Sequence, residues 1–271
     1  MDRCRAGDVE IAYRVVGQGE PVLLIHPSLG ADWFIPLERV AALTDRYQLI
    51  SFHRAGYGGS SSPSGPVGFA DYARHGEALL RHLGIGAAHV VGHSNGGPVA
   101  LQLAVQAPTT VASLALLEPT LAVPSIGRSD GVRLSFQRYA DGDKAGAVDA
   151  FLAAVAGVDC RAVLSRELPG GWEQAVADAD TFFAVEAPAT FAWEFGDDDA
   201  ARIRQPVLSV TGADSLATSP VRREVAELLL RWFPRADTYV LPGANHLLQV
   251  QNPTDLAAAL AAFFGRHPLP V

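Results

Sequence analysis

The 271-residue sequence predicts an α/β fold: a mostly parallel, doubly wound sheet with helices on both faces and one helical insertion. Three observations predict it. Short apolar, β-branched runs alternate with longer segments of helical period, the pattern of parallel strands joined by crossover helices. One of these runs enters a Gly-x-Ser-x-Gly turn and leaves it directly into a helical pattern. Residues 121–200 show helical patches and turn residues but no strand pattern.

The elements follow in order. Val9 to Val16 reads as an edge hairpin strand, turned at Gly17-Gln18-Gly19. Pro21 to His26 (PVLLIH) is an unbroken apolar run and therefore a strand buried on both faces. Gln48 to His53, His89 to Gly92 and Val111 to Leu117 read the same way, as do Pro206 to Thr211 and Thr238 to Leu241. Helical periodicity covers Asp71 to Leu83, Gly97 to Gln106, Val221 to Phe233 and Pro253 to Phe264. A core domain of residues 1–120 and 201–271 carrying a helical cap, or lid, of residues 121–200 is expected.

Composition narrows the class. With 49% hydrophobic and 18% charged residues, the chain is that of a compact globular enzyme rather than a disordered segment. Early charges predict against a signal peptide, and no run approaches the ~18 apolar residues of a membrane span. A cytoplasmic protein without a membrane partner is expected. Cys4 and Cys160 cannot form a disulfide framework, and no Cys/His cluster has metal-ligand spacing. Residues 121–200 hold 14 Asp/Glu against 6 Lys/Arg, whereas the remainder balances at 15 of each. That acidic segment argues against nucleic acid and against polyanionic substrates. It also holds nine of the 22 aromatic residues. A lid must line what it covers, so Phe136, Trp172, Phe183 and Trp193, with Trp33 from the core, are the candidate substrate contacts. Asp197-Asp198-Asp199 reads as a solvated turn.

The chemistry centres on Gly92-His93-Ser94-Asn95-Gly96. Gly-x-Ser-x-Gly alone is a weak signal. Between a buried strand and a helix it becomes specific, because a crowded strand-to-helix turn pushes the Ser94 hydroxyl out at the carboxyl edge of the sheet. The following helix N-terminus adds positive potential and unused N–H groups.

On these residues the chain resembles the α/β-hydrolase superfamily of esterases and lipases, from about Val9 to His267 with the 121–200 segment least similar. The resemblance implies Ser94 as nucleophile and His246, on the Gly243-Ala244-Asn245-His246 loop, as general base. An imidazole titrates near neutral pH and suits that role. It implies an oxyanion hole from the N–H groups of Asn95 and Ser28, the latter in His26-Pro27-Ser28, where Pro27 replaces the usual Gly. It also implies an acid. The usual Gly-x-x-Asp turn here reads Gly212-Ala213-Asp214-Ser215, with Asp214 one residue early. Glu118, closing the apolar Val111-to-Leu117 run, is the preferred acid because a carboxylate there needs a buried partner; Asp214 is the alternative. His53 stands where relatives carry Asp after the fourth strand.

The expected function is a serine hydrolase acting on a neutral, fairly apolar ester or lactone through an acyl-enzyme, with no cofactor or metal. The same triad could serve C–C hydrolysis, lyase or perhydrolase chemistry, and a non-catalytic ligand receptor is the reading from another class.

Overall fold

The computed structural model describes residues 1–157 and 160–269. Eight strands form one sheet: β1 (Asp2–Ala6), β2 (Val9–Val16), β3 (Glu20–Ile25), β4 (Tyr47–Phe52), β5 (Ala88–His93), β6 (Val111–Leu117), β7 (Val207–Gly212) and β8 (Asp237–Leu241). Their spatial order is β1-β2-β4-β3-β5-β6-β7-β8. The pairs β1–β2 and β2–β4 are antiparallel, and every other pair is parallel. β1 is absent from the sequence reading because its DRCRA run is polar at most positions, with only Cys4 and Ala6 buried. Its presence moves β2 from the predicted edge to the second place.

The strand period of two divides the core. Leu23, Ile25, Val90, Leu114 and Leu116 face one layer with the Phe69–His82, Gly96–Gln106 and Pro220–Trp232 helices. Val22, Leu24, Val91, Ala115 and Leu117 face the other, against Phe34, Leu37 and the Pro253–Arg266 helix. Apolar residues at consecutive positions are thus buried on opposite faces, which is why the central strands carry unbroken apolar runs.

Between β6 and β7 the regular elements among the described residues are all helical: a 3-10 turn Ile126–Arg128, Asp130–Ala140, Lys144–Ala156, Cys160–Glu167, Gly171–Ala177, a π-helical turn Thr181–Glu186 running into Ala187–Ala192, and Asp197–Ala200. An aromatic cluster holds them together. Phe183 stacks on Tyr139 with ring centroids 4.7 Å apart and meets Phe136 at 5.2 Å and Phe182 at 4.7 Å. The insertion continues onto the core through Leu29, Trp33, Tyr57, Leu247 and Val250. Asp197 is not a bare solvated turn residue: it starts a short helix and accepts a hydrogen bond from Trp232 Nε1 at 2.6 Å.

Polar contacts dock the insertion on the loop after β4. The Thr181 hydroxyl donates to the Gly56 carbonyl at 2.6 Å, and the Gly58 N–H donates to Asp178 at 3.0 Å. Gly56 has φ of 85°, and a side chain there would also press on Thr181, so only glycine permits this approach. His53 is structural here. Its Nδ1 accepts from Gly59 N–H at 2.8 Å, which leaves Nε2–H to face Asp32 at 3.3 Å.

Phe183→Ala should cost about 3–5 kcal/mol of unfolding free energy, because it empties the centre of the insertion's ring cluster. Chemical denaturation followed by tryptophan fluorescence checks this; a loss below about 1 kcal/mol would contradict the central role given to that ring.

Candidate active site

The Ser94 turn is strained and held in place by its neighbours. Ser94 has φ of 52°, one of three non-glycine residues with positive φ among the described residues; the others are Glu118 at 41° and Leu29 at 58°. All three lie beside the site. The left-handed conformation costs roughly 1–2 kcal/mol for an L-residue. The backbone on both sides offsets it: Ser94 N–H donates to Leu117 O at 3.0 Å, while Ser94 O accepts from Gly97 at 2.9 Å and Thr120 at 3.0 Å. A Cβ on Gly96 would overlap the Ile25 carbonyl, so this helix can start against β3 only with glycine there.

The residues named from sequence come together around Ser94. His246 follows β8 on a loop fixed by Asn245, whose N–H donates to Gln251 at 2.8 Å and whose Oδ1 accepts from Leu247 at 2.9 Å. His246 Nδ1 lies 2.7 Å from Glu118 Oε2, and Nε2 lies 3.1 Å from Ser94 Oγ. A carboxylate accepts, so Nδ1 carries the proton and Nε2 is free to accept from the serine hydroxyl. Glu118 is 1% exposed at the end of β6, beside β7. Its Oε1 accepts from Gly212 N–H at 2.9 Å, and Arg222 Nε approaches Oε2 at 3.2 Å. Asp214 is exposed in the first turn of the Ala213–Thr218 helix, away from the imidazole.

Electrostatics follow from this burial. Desolvation pushes the Glu118 pKa up, but the His246 hydrogen bond, the charge of Arg222 and the Gly212 amide outweigh it and bring it to about 2. Burial and Arg222 pull His246 down against the opposing effect of Glu118, to about 4.

Ser94, Ser28 and Asn95 share the wall of a cavity of about 150 Å³ under the insertion. Among the described residues the amides of Ser28 and Asn95 donate to no group of the chain. The Pro27 turn is held by His26, whose Nε2 accepts from Arg54 N–H at 2.9 Å while Nδ1–H donates to Pro27 O at 2.6 Å. Of the five aromatics assigned to substrate contact, Phe136 lines the cavity, together with Phe151, Phe182 and Phe191. The others lie elsewhere because packing partners claim them. Trp33 is buried against His93 at 6.1 Å, and Trp172 lies under Arg161 at 5.1 Å. Phe183 fills the ring cluster, and Trp193 packs on Phe69 at 5.3 Å and donates to Gln102 at 3.0 Å.

Four residues escaped the sequence reading. Thr120 and Arg222 line the cavity, with Thr120 Oγ1 3.4 Å from Ser94 Oγ. Arg54 and Glu186 form a fully buried ion pair at 2.7 Å beside Ser28 and Asn95. Arg54 in the turn after β4 and a Glu amid the aromatic run TFFAVE were the available signals. The arrangement can activate a hydroxyl, return a proton to a leaving group and hold a developing oxyanion. Among the described residues no group of three or more His, Cys, Asp or Glu is placed to hold a metal ion. No helix there is long and apolar enough to cross a membrane.

Gly96→Ala should force the Ser94 turn off β3 and lower unfolding free energy by about 1–3 kcal/mol. A denaturant titration tests it; unchanged stability would show that the turn has slack.

Comparison with known proteins agrees with this architecture. Residues 21–253 match the family model described as the alpha/beta hydrolase fold. The chain is 40% identical over 112 residues to the dihydrolipoyllysine-residue acetyltransferase component of an acetoin cleaving system of Cupriavidus necator, over 41% of this chain and 30% of that one. It is 34% identical over 108 residues to 3-oxoadipate enol-lactonase 2 of Acinetobacter baylyi, covering 40% of each. These alignments span less than half the length of the curated relatives they match. An alpha/beta hydrolase from Sphaerobacter thermophilus superposes with a TM-score of 0.77 at 26% identity, over 97% of this chain and 100% of that one. With a buried strand, a strained Ser94 turn and a family match across most of its length, the chain belongs to the α/β-hydrolase fold family.

Proposed function

We infer that the protein is a serine hydrolase that cleaves a compact, neutral and largely apolar carboxylic ester or lactone. The observation that carries this reading is the aligned set Glu118–His246–Ser94, with contacts of 2.7 and 3.1 Å. His246 Nε2 takes the Ser94 proton as Oγ attacks the carbonyl carbon. The Ser28 and Asn95 amides receive the oxyanion, the leaving alcohol takes the proton, and water then releases the acyl group by the same steps. Glu118 holds the imidazole in the required tautomer.

The substrate class rests on the cavity. Its wall combines Ile126, Val132, Phe136, Phe151, Phe182 and Phe191 with a polar part made by Ser28, Ser94, Asn95, Thr120, Ser129, Thr190 and Ser219 and by Arg222, whose charge is paired with Glu118. Its volume of about 150 Å³ lies below the roughly 300 Å³ where ligand pockets for drug-sized molecules begin. Similarity to an enol-lactonase supports including lactones in the class.

Hydrolysis of p-nitrophenyl esters from acetate to octanoate, and of simple lactones, tests the reading. Saturable turnover favouring short acyl chains is expected, and it should vanish in Ser94→Ala. Turnover that survives in that variant would remove Ser94 as nucleophile. Glu118→Gln should damage kcat far more than Asp214→Asn, by about 10²-fold or more, since the acid fixes the tautomer; the reverse order would reassign the acid.

The depressed His246 pKa carries a pH prediction. A base with a pKa of about 4 stays neutral, and competent, until the pH falls to that value. The acid limb of kcat/KM should therefore lie near pH 4 rather than at the ~6.5 of an ordinary histidine. Replacing Arg222 by Met removes a positive charge that lowers the pKa, so the limb should move up by roughly one unit or more. A limb that stays put would show that Arg222 does not tune the base.

A further inference from the structure

We propose that Glu186, supplied by the helical insertion, is a positioning residue for the oxyanion site, and that Arg54 is the counter-ion that makes a carboxylate tolerable there. The proposal rests on the serine hydrolase reading and extends it. The two amides assigned to the oxyanion belong to different segments, the turn after β3 and the start of the Gly96–Gln106 helix. Their side chains converge on one atom. Ser28 Oγ donates to Glu186 Oε1 at 2.6 Å, and Asn95 Nδ2 donates to the same oxygen at 2.7 Å. A single carboxylate oxygen thus fixes the spacing between two cavity-lining residues whose backbone N–H groups donate to no group of the chain among the described residues.

The carboxylate is itself over-determined. Arg54 Nη1 donates to Oε2 at 2.7 Å, Arg54 Nη2 to Oε1 at 3.3 Å, and the Tyr57 hydroxyl also donates to Oε2. Glu186, Arg54 and Tyr57 are all fully buried. Asn95 Nδ2 has a second acceptor in Thr190 Oγ1 at 3.1 Å, and that hydroxyl donates back to the Glu186 carbonyl at 2.9 Å. Glu186 ends the π-helical turn Thr181–Glu186, and such widened turns re-aim side chains within a helix.

An anionic group beside an oxyanion site opposes the charge that develops in the transition state unless a cation balances it. The Arg54 guanidinium provides that balance from the core side. Glu186 thus sets the geometry, and Arg54 cancels its charge.

Both are tested by steady-state kinetics on a p-nitrophenyl ester, with competent sites counted by a fluorophosphonate. That reagent phosphonylates the nucleophilic serine with loss of fluoride. Glu186→Gln should lower kcat per titrated site about 10- to 100-fold, with KM within about threefold of wild type. Inhibition by a trifluoromethyl ketone, whose adduct carries the oxyanion, should weaken by about the same factor as kcat/KM. Arg54→Met leaves the carboxylate unbalanced and should fall further, whereas Arg54→Met/Glu186→Gln should recover to the Glu186→Gln level. Ser28→Ala, which keeps the backbone amide and removes one tether, should lose about 3- to 10-fold in kcat; it serves if the charged-pair variants do not fold.

A lowered melting temperature with unchanged kcat per titrated site, in Glu186→Gln or in Ser28→Ala, would mean packing alone and overturn the positioning role. A double variant no better than Arg54→Met would overturn the counter-ion role. Wild-type protein that neither reacts with the fluorophosphonate nor turns over would overturn the hydrolase reading itself.

Discussion

A carboxylate removed from water must find its compensation inside the chain, and the site of this protein is organised around two that do. Glu118 is balanced by Arg222 and the His246 N–H, and Glu186 by Arg54, with Tyr57, Ser28 and Asn95 completing its hydrogen bonds. An uncompensated charge at such depth is far too costly to keep, and removing one member of a buried pair typically costs about 3–5 kcal/mol. The two pairs therefore act as constraints on the fold. The first ties the end of β6 to the loop after β8 and to the Pro220–Trp232 helix. The second ties the turn after β4 to the insertion. Ser94 is linked to the first pair through His246 and adjoins the second through Asn95, while its left-handed backbone is held by Leu117, Gly97 and Thr120.

Local features of this arrangement were legible in the sequence. The central strands, the Gly-x-Ser-x-Gly turn and its helix are contiguous, and each leaves a periodic or steric mark within a few residues. The preference for Glu118 also came from physics, since a carboxylate closing an apolar strand requires a partner, and the structure sets it beside His246 while Asp214 stays exposed. The Arg54–Glu186 pair left no such mark. Its members are 132 residues apart, and Arg222 is 104 residues from Glu118. Nothing local to any of these positions distinguishes a buried ion from a surface one.

The aromatic residues show a different limit. Their number in residues 121–200 pointed to a lid lining what it covers, but which rings face the cavity depends on how the helices rotate against each other. Phe136 turns toward Ser94, and Phe183, on the π-helical turn, does not. β1 was missed for a related reason. Its strand character comes from pairing with β2 across a two-residue turn, not from the apolar content of Asp2–Ala6.

The position of Glu118 has a consequence for how such a chain can change over evolutionary time. With the acid closing β6, the proposed nucleophile and acid share one strand–helix–strand unit, residues 88–118, on adjacent parallel strands. Everything that shapes the cavity roof is inserted after that unit is complete. A substrate range could therefore be rewritten by grafting a different roof at the same two junctions, with the spacing of the proposed nucleophile and acid left untouched. Its strictest inherited obligation would be a carboxylate for Arg54, so a donor segment lacking a counterpart of Glu186 would strand a buried guanidinium. Modularity here has an electrostatic key.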